Sequence, residues 1–184
     1  MIIYWGTYNY PFKEKSMSHI DTIKQALEKF YQNDSSLLER QGKIEKSISV
    51  RIGHYLSEII ESENDGLFID CEFERNGDDL KEICINGMSK KVRPDIICHD
   101  RGCLNCFIVE IKLGSPGKDL KKVPDMMAEL GYSFGYVISN MKNKSRTVVI
   151  YEYKLNNLEL CPDGEKHKYK YDIDNETLRE LHIS

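Results

Sequence analysis

The chain has 184 residues, 40% hydrophobic and 30% charged, with a formal net charge of −4 at pH 7; that length suits one domain with a core of its own. No run approaches the roughly 18 apolar residues of a membrane span, and the acidic balance argues against a surface that holds nucleic acid everywhere, while leaving room for a local basic groove. The opening Met1-Ile2-Ile3-Tyr4-Trp5 carries no basic leader, so a cytoplasmic location is expected, with the six cysteines reduced and no disulfide framework.

Residues 1–16 are aromatic-rich, contain Pro11 and show no period; they are expected to be an N-terminal arm on a single domain spanning 1–184. Ser18 can cap a helix over 18–32, because Ile20, Ile23, Leu27 and Phe30 recur at helical spacing. Asn33-Asp34-Ser35-Ser36 ends it. A second helix is expected over 44–61, with Ile44, Ile48, Ile52, Tyr55, Leu56 and Ile59 on one face.

Alternation predicts a strand over 67–74, and Asn76-Gly77 predicts a turn after it. Residues 78–92 are polar and read as an irregular excursion. Short apolar runs predict strands at 95–98 and 106–111, then at 136–139 and 147–151. Between these pairs, 115–130 reads as a helix in which Pro124 requires a kink or a late start. Residues 166–171 interleave Lys166, Lys168 and Lys170 with His167, Tyr169 and Tyr171. That stretch suits a strand with one solvated face, or a grip on phosphates and bases. Residues 177–181 read as a last short helix. This mixture of helices and strands predicts an α/β domain with a mixed central β-sheet flanked by helices.

The chemistry concentrates between Asp95 and Lys112. If the strands at 95–98 and 106–111 pair around Arg101-Gly102-Cys103, Asp95 falls opposite Glu110. Side chains alternate faces along a strand, so Glu110 and Lys112 share a surface while Val109 and Ile111 take the other. Charges in an otherwise apolar hairpin need partners. Two neighbouring carboxylates repel, and a divalent cation such as Mg²⁺, which takes one or two carboxylates plus water and phosphate, would relieve them. On that argument Asp95→Ala is expected to stabilise the metal-free protein.

Pro94-Asp95, fourteen residues, then Glu110-Ile111-Lys112 resembles the motif of the PD-(D/E)XK nuclease superfamily, and the chain looks like a small bacterial member with a restriction-endonuclease-like fold. The resemblance covers roughly residues 36–140. It implies metal-dependent hydrolysis of phosphodiester bonds, of DNA by family habit, with Mg²⁺ or Mn²⁺ held by Asp95, Glu110 and the backbone carbonyl of Ile111. Lys112 would serve the attacking water. Glu45, on the helix before the sheet, matches a further glutamate of the family; Lys121 and Lys122, on the helix after the motif, would contact phosphate. Family habit also raises a homodimer; with no attached targeting domain in view, a targeting partner protein is a further expectation, and the lack of a long apolar run predicts no membrane association.

Other readings of the same residues stay open. Asp95 can merely start a strand, and Glu110 with Lys112 can be a surface salt bridge. Glu45 can be a solvated helix residue, and Glu72 the exposed face of an edge strand. Cys103-Leu104-Asn105-Cys106 with Cys98 and His99 raises a zinc site or a redox pair, although Cys98 and His99 should point to opposite faces. His54, among apolar helix positions, reads as a packed histidine. Finally, the fold can persist as a catalytically inactive module that binds nucleic acid or a partner.

Overall fold

Helix α1 (His19–Asn33) buries Ile20, Ile23, Leu27 and Phe30, the stripe set by its period. It stops at Asp34, after which the chain makes a 3₁₀ turn, Ser35–Glu39. Helix α2 (Glu45–Glu63) buries Ile48, Ile52, Tyr55, Leu56 and Ile59. The Asp34 carboxylate ties the two helices. It accepts from Arg51 Nε and Nη2, both at 3.0 Å, and from the Tyr55 hydroxyl at 2.5 Å. The computed structural model describes residues 19–42, 44–63, 66–72, 75–76, 79–80, 82–85, 88–102, 104–155 and 165–182. The expected arm at 1–16 lies outside them, as do Ser18 and Cys103.

The strands are β1 (Phe68–Cys71), β2 (Arg75–Asn76), β3 (Asp79–Leu80), β4 (Glu82–Ile85), β5 (Met88–Lys91), β6 (Ile96–His99), β7 (Asn105–Ile111), β8 (Phe134–Ser139), β9 (Thr147–Lys154), β10 (Glu165–Asp172) and β11 (Thr177–Leu181). Seven form one sheet in the order β1-β6-β7-β8-β9-β10-β11. Every pairing in it is antiparallel except β7 with β8, which is parallel. The parallel pair needs a crossover, and helix α3 (Asp119–Leu130) supplies it.

The sheet has apolar side chains on both faces. Ile96, Cys98, Phe107, Val109 and Ile111 join the core formed with α1 and α2. Ile97, Ile108 and Val137 join the core under α3, with Val123, Met126 and Met127. This is why β7 reads as a continuous apolar run rather than an alternating one. Among the described residues, no helix is long and apolar enough to cross a membrane.

The helix expected over 115–130 starts late, with Pro124 inside it rather than at its first turn. The helix begins at Asp119, after Pro116 and Gly117, so Pro124 sits one and a half turns inside it. Lacking an N–H, Pro124 leaves the carbonyl of Leu120 without its helical donor, and the Tyr153 hydroxyl donates to that oxygen at 2.9 Å. At the other end Gly131 takes a left-handed conformation (φ 72°), and its N–H and that of Tyr132 both close on the Met127 carbonyl.

Two expectations need correction. Part of 78–92 is ordered as two hairpins, β2 with β3 and β4 with β5. Residues 177–181 form strand β11, not a helix. Leu178 and Leu181 have the spacing of a helical turn, but five residues cannot nucleate a helix alone, and the open edge of β10 offers them a ladder of hydrogen bonds.

Gly53 sets how closely α2 lies on β1. A β-carbon there would meet Cys71 Sγ at 2.3 Å. Alanine suits a helix by about 1 kcal/mol, yet overpacking costs about 1–3 kcal/mol. Thermal unfolding of Gly53→Ala should therefore show a loss of stability. Adding Cys71→Ala, which removes the obstructing sulfur, should restore it. An unchanged melting temperature in the single variant would refute this packing account.

Candidate active site

Ile96 lies opposite Val109, and Ile97 opposite Ile108. One step further along the same register, Asp95 comes opposite Glu110. Paired residues share a face, and Ile97 with Ile108 belongs to the α3 side. Counting by twos along β7 puts Glu110 on that side as well, with Lys112 just beyond the strand.

The backbone N–H of Ile111 donates to Asp95 Oδ2 at 2.8 Å, fixing the carboxylate across the two chains. Glu110 is 2% exposed. Lys122 Nζ, from the first turns of α3, donates to its Oε1 at 2.7 Å. Lys112 Nζ donates to Glu45 Oε1 at 2.7 Å and lies 3.6 Å from Asp119 Oδ2. The Lys112 backbone is itself held, since its N–H donates to the Ile138 carbonyl at 2.8 Å. Three structural units thus meet here: the start of α2 (Glu45), the ends of β6 and β7 (Asp95, Glu110, Lys112) and the start of α3 (Asp119, Lys122).

The cluster holds four carboxylates against two ammonium groups. Burial pushes the Asp95 carboxyl above its ordinary range; the Ile111 N–H, Lys112 and Lys122 oppose this, and Glu45 adds to it. Burial and the neighbouring Asp95 charge push Glu110 up to about 7, against the pull of Lys122. For Lys112 burial acts in the opposite sense. The Glu45 hydrogen bond and the charges of Asp119, Asp95 and Glu45 outweigh it and hold the ammonium above its ordinary range. The site is a pocket of excess negative charge whose two central carboxylates have little water to spread it.

No protein-family model, curated protein or solved structure matches the chain.

The structure brings Asp95, Glu110, Lys112 and Glu45 together. The Ile111 side chain lies in the α1/α2 core, and its backbone contributes the N–H to Asp95. Lys122 pairs with Glu110 inside the cluster, while Lys121 is exposed on α3 outside it. Asp119 was not legible as a site residue. Its signal was the spacing of three to Lys122, which puts both on one helical face. Glu72 borders the site: its N–H donates to the Asp95 carbonyl at 2.9 Å, and its carboxylate pairs with Lys46 and Arg93. The expected gain from Asp95→Ala also needs correction. Alanine would relieve the repulsion but strand the Ile111 N–H, so Asp95→Asn, which keeps an acceptor, is the cleaner neutralisation.

Cys103 lies outside the described residues; among those described, Cys98, His99 and Cys106 do not converge on one zinc site. Cys98 and Cys106 face the α1/α2 core, with Cys106 Sγ 3.6 Å from His19 Nε2. His99 is on the other face, where its Nε2 meets Asp70 Oδ2 at 2.8 Å; Arg101 also pairs with Asp70. His54 is exposed and pairs with Glu58 rather than packing. Among the described residues, no group of three or more His, Cys, Asp or Glu is arranged to cage a metal ion.

The raised Glu110 pKa has a definite sign. The folded state binds this proton more tightly than the unfolded chain, whose carboxyl titrates near 4.5. Between about 4.5 and about 7, stability should fall as pH rises, and the full cost is present above 7. Chemical denaturation of the protein in EDTA should show this slope between pH 5 and 8. Glu110→Gln should flatten it. A wild-type profile as flat as the variant's would contradict the assignment.

Proposed function

We propose that this chain is a metal-dependent nuclease of the PD-(D/E)XK superfamily, with a restriction-endonuclease-like fold, that hydrolyses phosphodiester bonds of DNA. The observation that carries the reading is the charge imbalance: Asp95 comes opposite Glu110, and among the described residues Lys122 and Lys112 are the ammonium groups paired within a cluster of four carboxylates. The excess corresponds to one divalent cation. The order of parts agrees with it, since a helix bearing Glu45 precedes the sheet, the antiparallel β6–β7 pair bears the motif, and α3 follows it.

The donor set fits Mg²⁺ or Mn²⁺. Asp95, Glu110 and the Ile111 carbonyl offer hard oxygens, and Mg²⁺ commonly takes only one or two carboxylates, with water and substrate phosphate filling the rest. A caged site of three or more acidic ligands is therefore not required. Such an ion, when bound, supplies Lewis acidity toward a phosphodiester oxygen and lowers the pKa of water.

The chain's own groups have separable roles. Asp95 is clamped across the two strands by the Ile111 N–H, which fixes its carboxylate opposite Glu110. Lys112 Nζ, held charged by Glu45 and Asp119, can donate to an attacking water or to the negative charge that develops on phosphorus oxygens. Glu45 sets the direction of that ammonium from the start of α2. Lys122 neutralises Glu110 in the absence of substrate and is near enough to turn to a phosphate instead.

One observation favours a second reading. Both ammonium groups already have carboxylate partners, which suits a closed network in a module that binds nucleic acid or a partner without cutting. Cleavage of supercoiled plasmid, single-stranded DNA and RNA, with Mg²⁺, Mn²⁺ or EDTA, separates the two. The nuclease reading predicts metal-dependent cutting of DNA that falls about 100-fold or more in Lys112→Ala, the size of loss seen on removing one transition-state donor. No cutting of any substrate, or equal cutting by the variant, would favour the binding module.

A further inference from the structure

On the α3 side of the sheet, past the part that α3 covers, β9, β10 and β11 present a basic and aromatic surface. Parity decides its composition. Tyr153 belongs to the α3 core and Tyr151 packs against it. In register, Lys166 lies opposite Tyr153 and Lys168 opposite Tyr151. On the next strand Arg179 lies opposite Lys170. Lys166, Lys168, Lys170 and Arg179 therefore stand on one face. The other face of β10 carries Tyr169 and Tyr171 into the α1/α2 core. The interleaved bases and aromatics of 166–171 thus part to opposite sides, and the lysines meet tyrosines from β9 instead.

Those tyrosines hold the ammonium groups in place. Lys166 Nζ lies 5.5 Å from the ring centres of both Tyr151 and Tyr153, and Lys168 Nζ lies 5.5 Å from that of Tyr151. Cation–π contact at this range attracts the ammonium group without cancelling its charge. Lys166, Lys170 and Arg179 are exposed, Lys168 is half-buried, and among the described residues none of the four is in an ion pair. The nearby Asp172 carboxylate is engaged in its own turn, accepting from the N–H groups of Asp174 and Asn175 and from Asn175 Nδ2. In a chain of net charge −4, a row of four bases outside any ion pair among the described residues is a local field of the opposite sign.

The row reaches toward the candidate active site. Tyr153, beneath Lys166, donates to the Leu120 carbonyl in the first turn of α3. Lys118 and Lys121 are exposed at that turn, and Lys122 on the same turn holds Glu110. Alternate residues on a strand are about 7 Å apart, which corresponds to about two phosphates of one duplex strand measured along the helix axis, at roughly 3.4 Å of axial rise each. With the tyrosine rings covered by lysines, the surface offers charge rather than stacking.

We infer that the β9–β11 face, built on Lys166, Lys168, Lys170 and Arg179, is a docking surface for the phosphate backbone of duplex DNA leading to the site at Asp95 and Glu110. The inference rests on the nuclease reading for the surface's purpose. Its test does not, because binding is measured in EDTA, apart from any cleavage. The experiment is fluorescence anisotropy of a labelled 20-base-pair duplex and of its single strand at several salt concentrations. It compares wild type with the triple variant Lys166→Gln, Lys168→Gln, Lys170→Gln. A control of equal charge change, Lys29→Gln, Lys142→Gln, Lys144→Gln, alters lysines on α1 and the 140–146 turn. Circular dichroism confirms that each variant is folded, and Arg179→Gln alone serves if the triple variant is not. The expected result is duplex binding by wild type that weakens about tenfold or more in the triple variant, with the salt slope reduced by about 2 to 3, and an unchanged control. For Arg179→Gln the expected slope change is about 1. No duplex binding by wild type, a preference for the single strand, or equal losses in variant and control would overturn the inference. Duplex binding by wild type that behaves as expected, with no metal-dependent cleavage by wild type, would instead count against the nuclease reading alone.

Discussion

Asp95 and Glu110 face each other across two central strands, close enough for the charge of one to raise the proton affinity of the other. Much of the surrounding structure is arranged around that unfavourable pair. The Ile111 N–H holds Asp95, Lys122 comes from α3 to Glu110, and Lys112 extends from the strand end to Glu45 and Asp119. Each contact offsets part of the repulsion, and together they still leave the carboxylates in excess. A protein selected only for stability would gain by replacing such a cluster with apolar side chains of similar volume. Its presence beside an apolar core is the physical basis for treating it as a candidate functional site.

The fold supplies the precision this needs. The parallel β7–β8 pair forces a crossover, and the crossover returns α3 over the sheet with Lys122 and Asp119 in its opening turns. Gly53 lets α2 approach β1 closely, which places its first residue, Glu45, beside Lys112. The site therefore lies at the junction of elements that each have another reason to be where they are. Side chains supported in this way lose little entropy on meeting a ligand.

The β6–β7 hairpin was legible because a two-residue period and a short connection leave one register that pairs charge with charge and apolar with apolar. Ile96 with Val109 and Ile97 with Ile108 follow from it. The helices α1 and α2 were legible from their apolar stripes. Glu45 was legible as a position, but its partner was not, because contact with Lys112 spans 67 residues. The pairing of Lys122 with Glu110 was not legible for a related reason: an exposed-looking helix lysine gave no sign that a buried carboxylate lay beneath it. β11 was missed because pairing partners are tertiary information, and Leu178 and Leu181 suit a helical turn as well as a strand. The lysines of β10 were visible in the sequence, but their tyrosine partners come from β9 and needed the register.

The proposed function requires a divalent cation at the Asp95–Glu110 pair. Isothermal titration calorimetry of Mn²⁺ into the wild-type protein and Asp95→Asn at pH 8 tests it most directly, without reference to any substrate. The account predicts about one equivalent bound by wild type, released protons at lower pH as Glu110 ionises, and binding weakened at least tenfold in the variant. Wild-type protein that binds no Mn²⁺, or binds it equally after Asp95→Asn, would contradict the account.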